Sequence, residues 1–212
     1  MTDTRKLTFY HAPQTRSFGT RVLLEELNAP HDLHVLNVRA GDTRKPEYLA
    51  VNPMGKVPAL MHGDALITEQ VAIFIYLADF FPDKKLAPAL TDPLRGPYLR
   101  WLAYYAACFE PAVIDKFMKR EPAPASTSPY GDYDTVINLL IAQLSKGPYI
   151  LGDTFSAADV LWGTALAWTT SFKLVPEDPT IMAYVKRIGA RPATVKVTAL
   201  DSELLAKFAS AS

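Results

Sequence analysis

The sequence predicts an α+β protein in which a small βαβ–ββα domain precedes an all-helical one. Strand-like apolar runs occur only before residue 70, and every later segment with a clear period has the helical one. Between them lies "DKKLAPALTDP" (83–93), rich in proline and without sustained periodicity, which reads as a linker. The domains expected are therefore 1–82 and 94–212.

"KLTFYH" (6–11) is short, mixed and aromatic and is bounded by "APQT", so it reads as a strand entering a loop. "SFGTRVLLEELN" follows as a helix, with Ser17 available as N-cap, Val22, Leu23, Leu24 and Leu27 as its apolar face, and a stop at Asn28 before Pro30. In "DLHVLNV" (32–38), Leu33 and Val35 alternate onto one face of a second strand. A short helix is expected around Glu47 to Ala50. Two apolar runs at 57–61 and 65–68, separated by "HGD", form a hairpin, and "EQVAIFIYLADFFP" is a nearly all-apolar helix ending at Pro82.

Beyond the linker, helices are expected at 94–119, 130–145, 157–172, 179–190 and 193–208, with "EPAPASTSP" (121–129) as a loop. In "FSAADV", Ser156 caps a helix and Asp159, three positions on, answers the cap's own N–H; Phe155 is placed to staple onto Val160. Trp162, Trp168 and Phe172 read as core.

The 22 basic and 22 acidic side chains cancel, which argues against nucleic acid as a partner, because phosphate neutralisation needs a basic surplus. A lone cysteine, Cys108, excludes an internal disulfide, a CxxC redox pair and a structural zinc site. His11, His31, His34 and His62 form no metal set, since His31 and His34 point to opposite faces of a strand. No run approaches a membrane span and the start has no apolar leader, so a cytoplasmic protein with no membrane partner is expected.

One position is anomalous. In "NPMGKVPAL" (52–60), Pro58 interrupts a strand, and a residue without an N–H is confined there to an edge, a bulge or a turn. Such a proline leaves neighbouring backbone available to something outside the sheet.

Taken in order, "LTFYHAPQTRSFGTRVLLEEL", "NPMGKVPALMHGDALITEQVAIFIYLAD" and "GDTFSAADVLWGTAL" cover most of the chain, and together they resemble the cytosolic glutathione S-transferases, of a bacterial, theta- or beta-like kind. The resemblance implies a thioredoxin-like N-terminal domain, an all-α C-terminal domain, glutathione as cosubstrate with no metal, a small hydrophobic electrophile, and a homodimer. It also implies a cis bond between Val57 and Pro58, with the Val57 N–H and C=O bonding the peptide backbone.

The resemblance further implies that the helix start at Glu69 and Gln70 receives the γ-glutamyl end, the N–H groups holding its carboxylate and Glu69 its ammonium. Gln70 departs from the serine most relatives have there. A hydroxyl from the first loop would stabilise the thiolate, and Ser17, Tyr10 and Thr15 are the candidates; Ser17 is equally a plain N-cap. The cysteine used by one bacterial class falls on Arg16, so thiol–disulfide exchange lacks its nucleophile. Arg16 is a candidate for the thiolate or the glycine carboxylate, and Arg39 and Lys56 for the glycine carboxylate, or they are solvated surface residues. Tyr104, Tyr105, Cys108, Phe109 and Phe117 offer an aromatic lining for the electrophile, or are packing residues. A glutathione-dependent isomerase or dehalogenase would use the same thiolate, and a non-catalytic glutathione-binding protein would use the same groove.

Overall fold

The computed structural model describes residues 6–121, 123–124 and 126–210. The first five residues read as the chain's start, and Pro122 and Ala125 of the expected loop, lie outside the described residues. In contact terms the chain divides into two compact units, one running through Lys84 and resuming at Arg191, the other from Lys85 to Ala190.

The first unit is built on β1 (Leu7–His11), α1 (Ser17–Glu26), β2 (His31–Val35), α2 (Pro46–Leu49), β3 (Ala59–His62), β4 (Ala65–Ile67) and α3 (Gln70–Phe80). The sheet order is β2-β1-β3-β4, with β1 parallel to β2 and antiparallel to β3, and β3 antiparallel to β4. Alternation along β1 turns Leu7, Phe9 and His11 inward, all nearly inaccessible. Onto that face pack Val22, Leu23, Leu24 and Leu27 from α1 and its C-cap, and Ile73, Phe74 and Leu77 from α3. Tyr10 takes the other face, its ring 5.0 Å from His34 and 5.5 Å from Tyr48.

β2 ends earlier than its apolar alternation suggests. At Asn37 the chain turns, because Asn37 Oδ1 accepts the N–H groups of Arg39 and Ala40 while Asp42 accepts that of Asn37. As an edge strand β2 leaves Leu33 36% exposed. On β3, His62 bonds the Tyr76 hydroxyl of α3.

The last helix, α9 (Pro192–Ser210), forms where expected but groups with the first unit rather than with the helices before it. It lies along α1, held by a bidentate pair from Arg191 to Glu26 (2.6 and 2.8 Å), by Lys196 to Glu25 (2.6 Å), and by Asp201, which reaches both Arg21 and His11. By contacts α9 thus clusters with the sheet and α1, although the sequence continues it from the helices expected over 94–212. None of those pairings is local in sequence.

The second unit contains α4 (Arg95–Tyr104), α5 (Glu110–Phe117), α6 (Tyr133–Leu144), α7 (Ala157–Ser171) and α8 (Pro179–Gly189). The single helix expected over 94–119 runs from Arg95 to Phe117 through a π-helical turn at Tyr105–Phe109. The core of this unit centres on Trp162 of α7, fully buried, whose Nε1 donates to the Trp101 carbonyl at 3.1 Å and whose ring meets Phe109 at 4.9 Å and Tyr105 at 5.5 Å. At Gly163 a Cβ would stand 2.4 Å from Ile188, so α7 and α8 approach through a glycine. Trp168 and Phe172, expected in the core, are instead 45% and 61% exposed, their rings 4.8 Å apart and tilted by 46°.

The capping box at the start of α7 forms as the sequence indicates. Asp159 accepts the N–H groups of Ser156 (2.8 Å) and Ile150 (2.7 Å) and the Tyr184 hydroxyl (2.9 Å). Burial pushes the Asp159 carboxyl upward against the pull of those donors, and pushes the Tyr184 hydroxyl well up as well. Asp159→Ala leaves these buried donors without an acceptor, at about 1–3 kcal/mol each before relaxation. Urea unfolding is expected to register a loss of about 3 kcal/mol or more; a loss within the scatter of surface substitutions would contradict the assignment.

Candidate functional site

Strand directions gather the candidate residues at one end of the sheet. β1 runs antiparallel to β3 with Tyr10 opposite Ala59, and β4 returns with Ile67 opposite Leu60. The loop leaving β1, the segment entering β3 and the turn leaving β4 therefore emerge together. The starts of α1 and α3 are tied directly, since Gln70 Nε2 donates to the Arg16 carbonyl at 2.9 Å. That contact shows what the longer amide does in place of serine: it bridges two helix starts.

The segment before β3 is rigidly placed. Gly55 has φ +59, and a Cβ there would fall 2.6 Å from the Thr43 carbonyl, so the turn accepts only glycine. The next carbonyl, that of Lys56, receives both the Tyr48 hydroxyl (2.5 Å) and the Asn52 amide (2.8 Å). Burial pushes the Tyr48 hydroxyl up to about 12, keeping it a donor at neutral pH. The Val57–Pro58 bond is cis, Pro58 is buried and Val57 half-buried. The ladder begins at Ala59, so Val57 stands just outside it. The Lys56 side chain is exposed.

Glu69 occupies the N-cap position of α3 with φ 62, exposed and making no side-chain cap bond. The helix start beside it offers backbone N–H groups and the positive end of the dipole. Gln70 Oε1 is shielded and has no protein donor.

The three candidate hydroxyls occupy different surroundings. Ser17 is fully buried. Its oxygen accepts the Ala12 N–H at 3.0 Å and lies 2.9 Å from His11 Nδ1, 2.7 Å from Thr15 Oγ1 and 3.0 Å from the Ala12 carbonyl. It is the first residue of α1, not its cap, and no face of it is open to a ligand. Tyr10 lies on the far face of the sheet from Ser17, against Tyr48 and His34. Thr15 is half-buried; its oxygen accepts the Ser17 N–H at 3.2 Å and its hydroxyl reaches the Ala12 carbonyl at 2.7 Å. Of the three, Thr15 both touches this cluster and retains surface.

Behind the hydroxyls stand residues that sequence reasoning missed. His11 Nε2 is 3.0 Å from Asp201 Oδ1, and Arg21 donates to the same oxygen at 2.5 Å. A signal for His11 was present, because it falls in register with Leu7 and Phe9 on the inward face, where a polar ring requires partners. Asp201 gave none, lying 190 residues away.

Arg16 and Arg39 are exposed, Arg39 reaching Gln14 at 3.4 Å. In the second unit the aromatic candidates separate. Tyr105 and Phe109 are 4% and 1% exposed and belong to the Trp162 core, Tyr105 donating to Glu110. Tyr104 and Cys108 are half-exposed, and Phe117 is exposed. Burial pushes the Tyr104 hydroxyl up to about 12 and raises the Cys108 thiol, which disfavours Cys108 as a nucleophile. Among the described residues no three His, Cys, Asp or Glu side chains group to hold a metal ion, and no helix is long and apolar enough to cross a membrane.

Residues 5–79 match the family described as glutathione S-transferase, N-terminal domain, and residues 128–192 the glutathione S-transferase, C-terminal domain. Glutathione S-transferase GstA of Escherichia coli O157:H7 is 29% identical over 193 residues, 88% of this chain and 94% of that protein. A solved sphingomonad glutathione S-transferase complexed with glutathione superposes with a TM-score of 0.76 at 26% identity, over 92% of this chain and 98% of that one. Glutathione S-transferase F10 of Arabidopsis thaliana is 31% identical over 166 residues, 73% of this chain and 76% of that protein. The chain belongs to the glutathione S-transferase family.

Proposed function

We propose that the protein is a glutathione transferase, which binds glutathione, raises its thiolate fraction and directs it at a small hydrophobic electrophile. The observation that carries this is the juxtaposition of Val57, left outside the β3 ladder, with the start of α3 and the half-buried Thr15. An extended tripeptide pairs its backbone with the Val57 N–H and C=O as one more antiparallel strand. Its γ-glutamyl carboxylate lies on the α3 N–H groups and its ammonium on Glu69. Arg16, Arg39 and Lys56 are the candidate cations for the glycine carboxylate.

With those ends fixed, the sulfur faces Thr15. A free thiol of this kind titrates near ~8.5, and lowering that by about two units needs ~2.7 kcal/mol of preference for the anion. A hydroxyl donor and nearby helix dipoles are of the right size to provide it. The attack itself needs no metal and no covalent enzyme intermediate, because the nucleophile is the bound cosubstrate. Tyr104, Cys108 and Phe117 retain surface for an apolar acceptor. The same proposal takes the chain to be a cytoplasmic homodimer, with reduced glutathione supplied by that compartment. Light scattering at micromolar concentration is expected to give about twice the chain mass of 23.4 kDa; a value near 23.4 kDa would refute the dimer.

Two substitutions separate activation from binding. Thr15→Val is expected to lower kcat/KM for conjugation of a small aromatic electrophile by about 100-fold, with glutathione affinity little changed. Glu69→Gln is expected to weaken glutathione binding about tenfold or more while the bound thiol still ionises. Unchanged turnover in Thr15→Val would remove the proposed role of that hydroxyl, and wild type that binds glutathione without ionising it would make the protein a binding module.

A further inference from the structure

Ser17, His11 and Asp201 stand in the order of an acyl-transfer triad, with a serine oxygen 2.9 Å from one ring nitrogen and a carboxylate 3.0 Å from the other. They cannot work as one. Ser17 is 0% exposed and its oxygen already accepts the Ala12 N–H, so no acyl carbon can approach it. The chain has a different outlet, because Thr15 Oγ1 lies 2.7 Å from Ser17 Oγ and Thr15 is half-buried where Ser17 and His11 are fully buried.

The hydrogens of this chain can be counted. His11 with one ring proton, on Nε2, donates to Asp201 and offers its Nδ1 lone pair to the Ser17 hydroxyl. Ser17 then has no second hydrogen, so the 2.7 Å contact makes Thr15 the donor or sends the Thr15 hydrogen to the Ala12 carbonyl. Either way the Thr15 hydrogen points inward and its oxygen presents a lone pair outward. With both ring nitrogens protonated the directions reverse: His11 Nδ1–H donates to Ser17, Ser17 donates to Thr15, and the Thr15 hydrogen is released toward the surface. The first arrangement suits a thiol, which donates; the second suits a thiolate, which accepts.

We propose that His11 stores the proton lost by glutathione, receiving it through Thr15 and Ser17, on the glutathione assignment made above. The S–H bond of the thiol breaks as an O–H bond forms on Thr15; the Thr15 hydrogen passes to Ser17, and the Ser17 hydrogen to His11 Nδ1. One proton enters the chain, one N–H bond is gained, and the electron pair stays on sulfur. The products are a thiolate accepting from the Thr15 hydroxyl and an imidazolium held by Asp201. Thr15 alone meets the sulfur; Ser17, His11, Asp201 and Arg21 are positioning residues.

The charged groups that face His11 fit this role. α9 presents Asp201 and α1 presents Arg21, while the β2 neighbour is Val35. Asp201 Oδ1 serves both donors, and Oδ2 is buried with no protein partner, so the carboxylate keeps accepting capacity that Arg21 does not exhaust. The next pairs along the α1–α9 seam are Glu25 with Lys196 and Glu26 with Arg191.

The test is the thiolate difference absorbance of bound glutathione against pH, for wild type, Asp201→Asn, Thr15→Val and the double variant, with glutathione affinity measured by calorimetry. Asp201→Asn keeps the shape and an acceptor for His11 but removes the charge, and is expected to raise the midpoint by about one pH unit. In the Thr15→Val background it is expected to add nothing, because the chain is already cut. A purely structural Asp201 would lower the melting temperature and leave the midpoint alone, which overturns the proposal. Should Asp201→Asn fail to fold, ring-nitrogen NMR shifts of wild-type His11 decide: glutathione, but not S-methylglutathione, is expected to convert it from singly to doubly protonated. The same shifts with both ligands overturn the relay while leaving the transferase assignment intact. A wild type that binds no glutathione overturns both.

Discussion

A carboxylate in an apolar interior must be paired, and in this protein one such carboxylate, Asp201, organises the end of the sheet that matters. It draws Arg21 of α1 and His11 of β1 to a single oxygen, and His11 in turn orders Ser17 and Thr15. Each link satisfies a group that would otherwise be buried unpaired, at a cost of several kcal/mol for a charge. Satisfying them has a side effect. The loop between β1 and α1 is held through His11 and Ser17 by a side chain from the far end of the chain, and the half-buried Thr15 has its hydroxyl fixed by that cluster.

The rest of the site is fixed by backbone. Gly55, the doubly bonded Lys56 carbonyl and Pro58 leave little freedom to Val57, and the Gln70 bridge sets the start of α3 against that of α1. Two helix starts and a strand edge then converge, and the positive end of the α3 dipole beside Val57 is a constellation suited to a small anionic peptide. Rigid placement matters here, since an anion is stabilised only by donors already aimed where its charge will sit.

Much of the fold was legible because it rests on local periodicity: the strand and helix order, the capping box at Ser156 and Asp159, and the break at Pro58 all appear within windows of a few residues. What escaped depends on distant packing. The π-helical turn at Tyr105–Phe109 is a partial exception, since Pro111 just after it lacks the N–H that would bond the Ala107 carbonyl, but it also comes with Tyr105 and Phe109 packing on Trp162. Ser17 and Thr15 are two residues apart and chemically alike, so only burial tells which one keeps surface. Asp201 sits in "ALDSELL", an unremarkable amphipathic stretch, and nothing near it in sequence points to His11. Trp168 and Phe172 share the apolar character of Trp162, yet their positions on α7 leave them outside the core.

The most direct test of the account is the position of the sulfur in a crystal structure of the protein with glutathione. The account places the cysteinyl N–H and C=O against Val57 and the sulfur within about 3.5 Å of Thr15 Oγ1, the reach of a hydrogen bond to sulfur. A sulfur turned to the Tyr10 face of the sheet, or a peptide bound away from Val57, would contradict it.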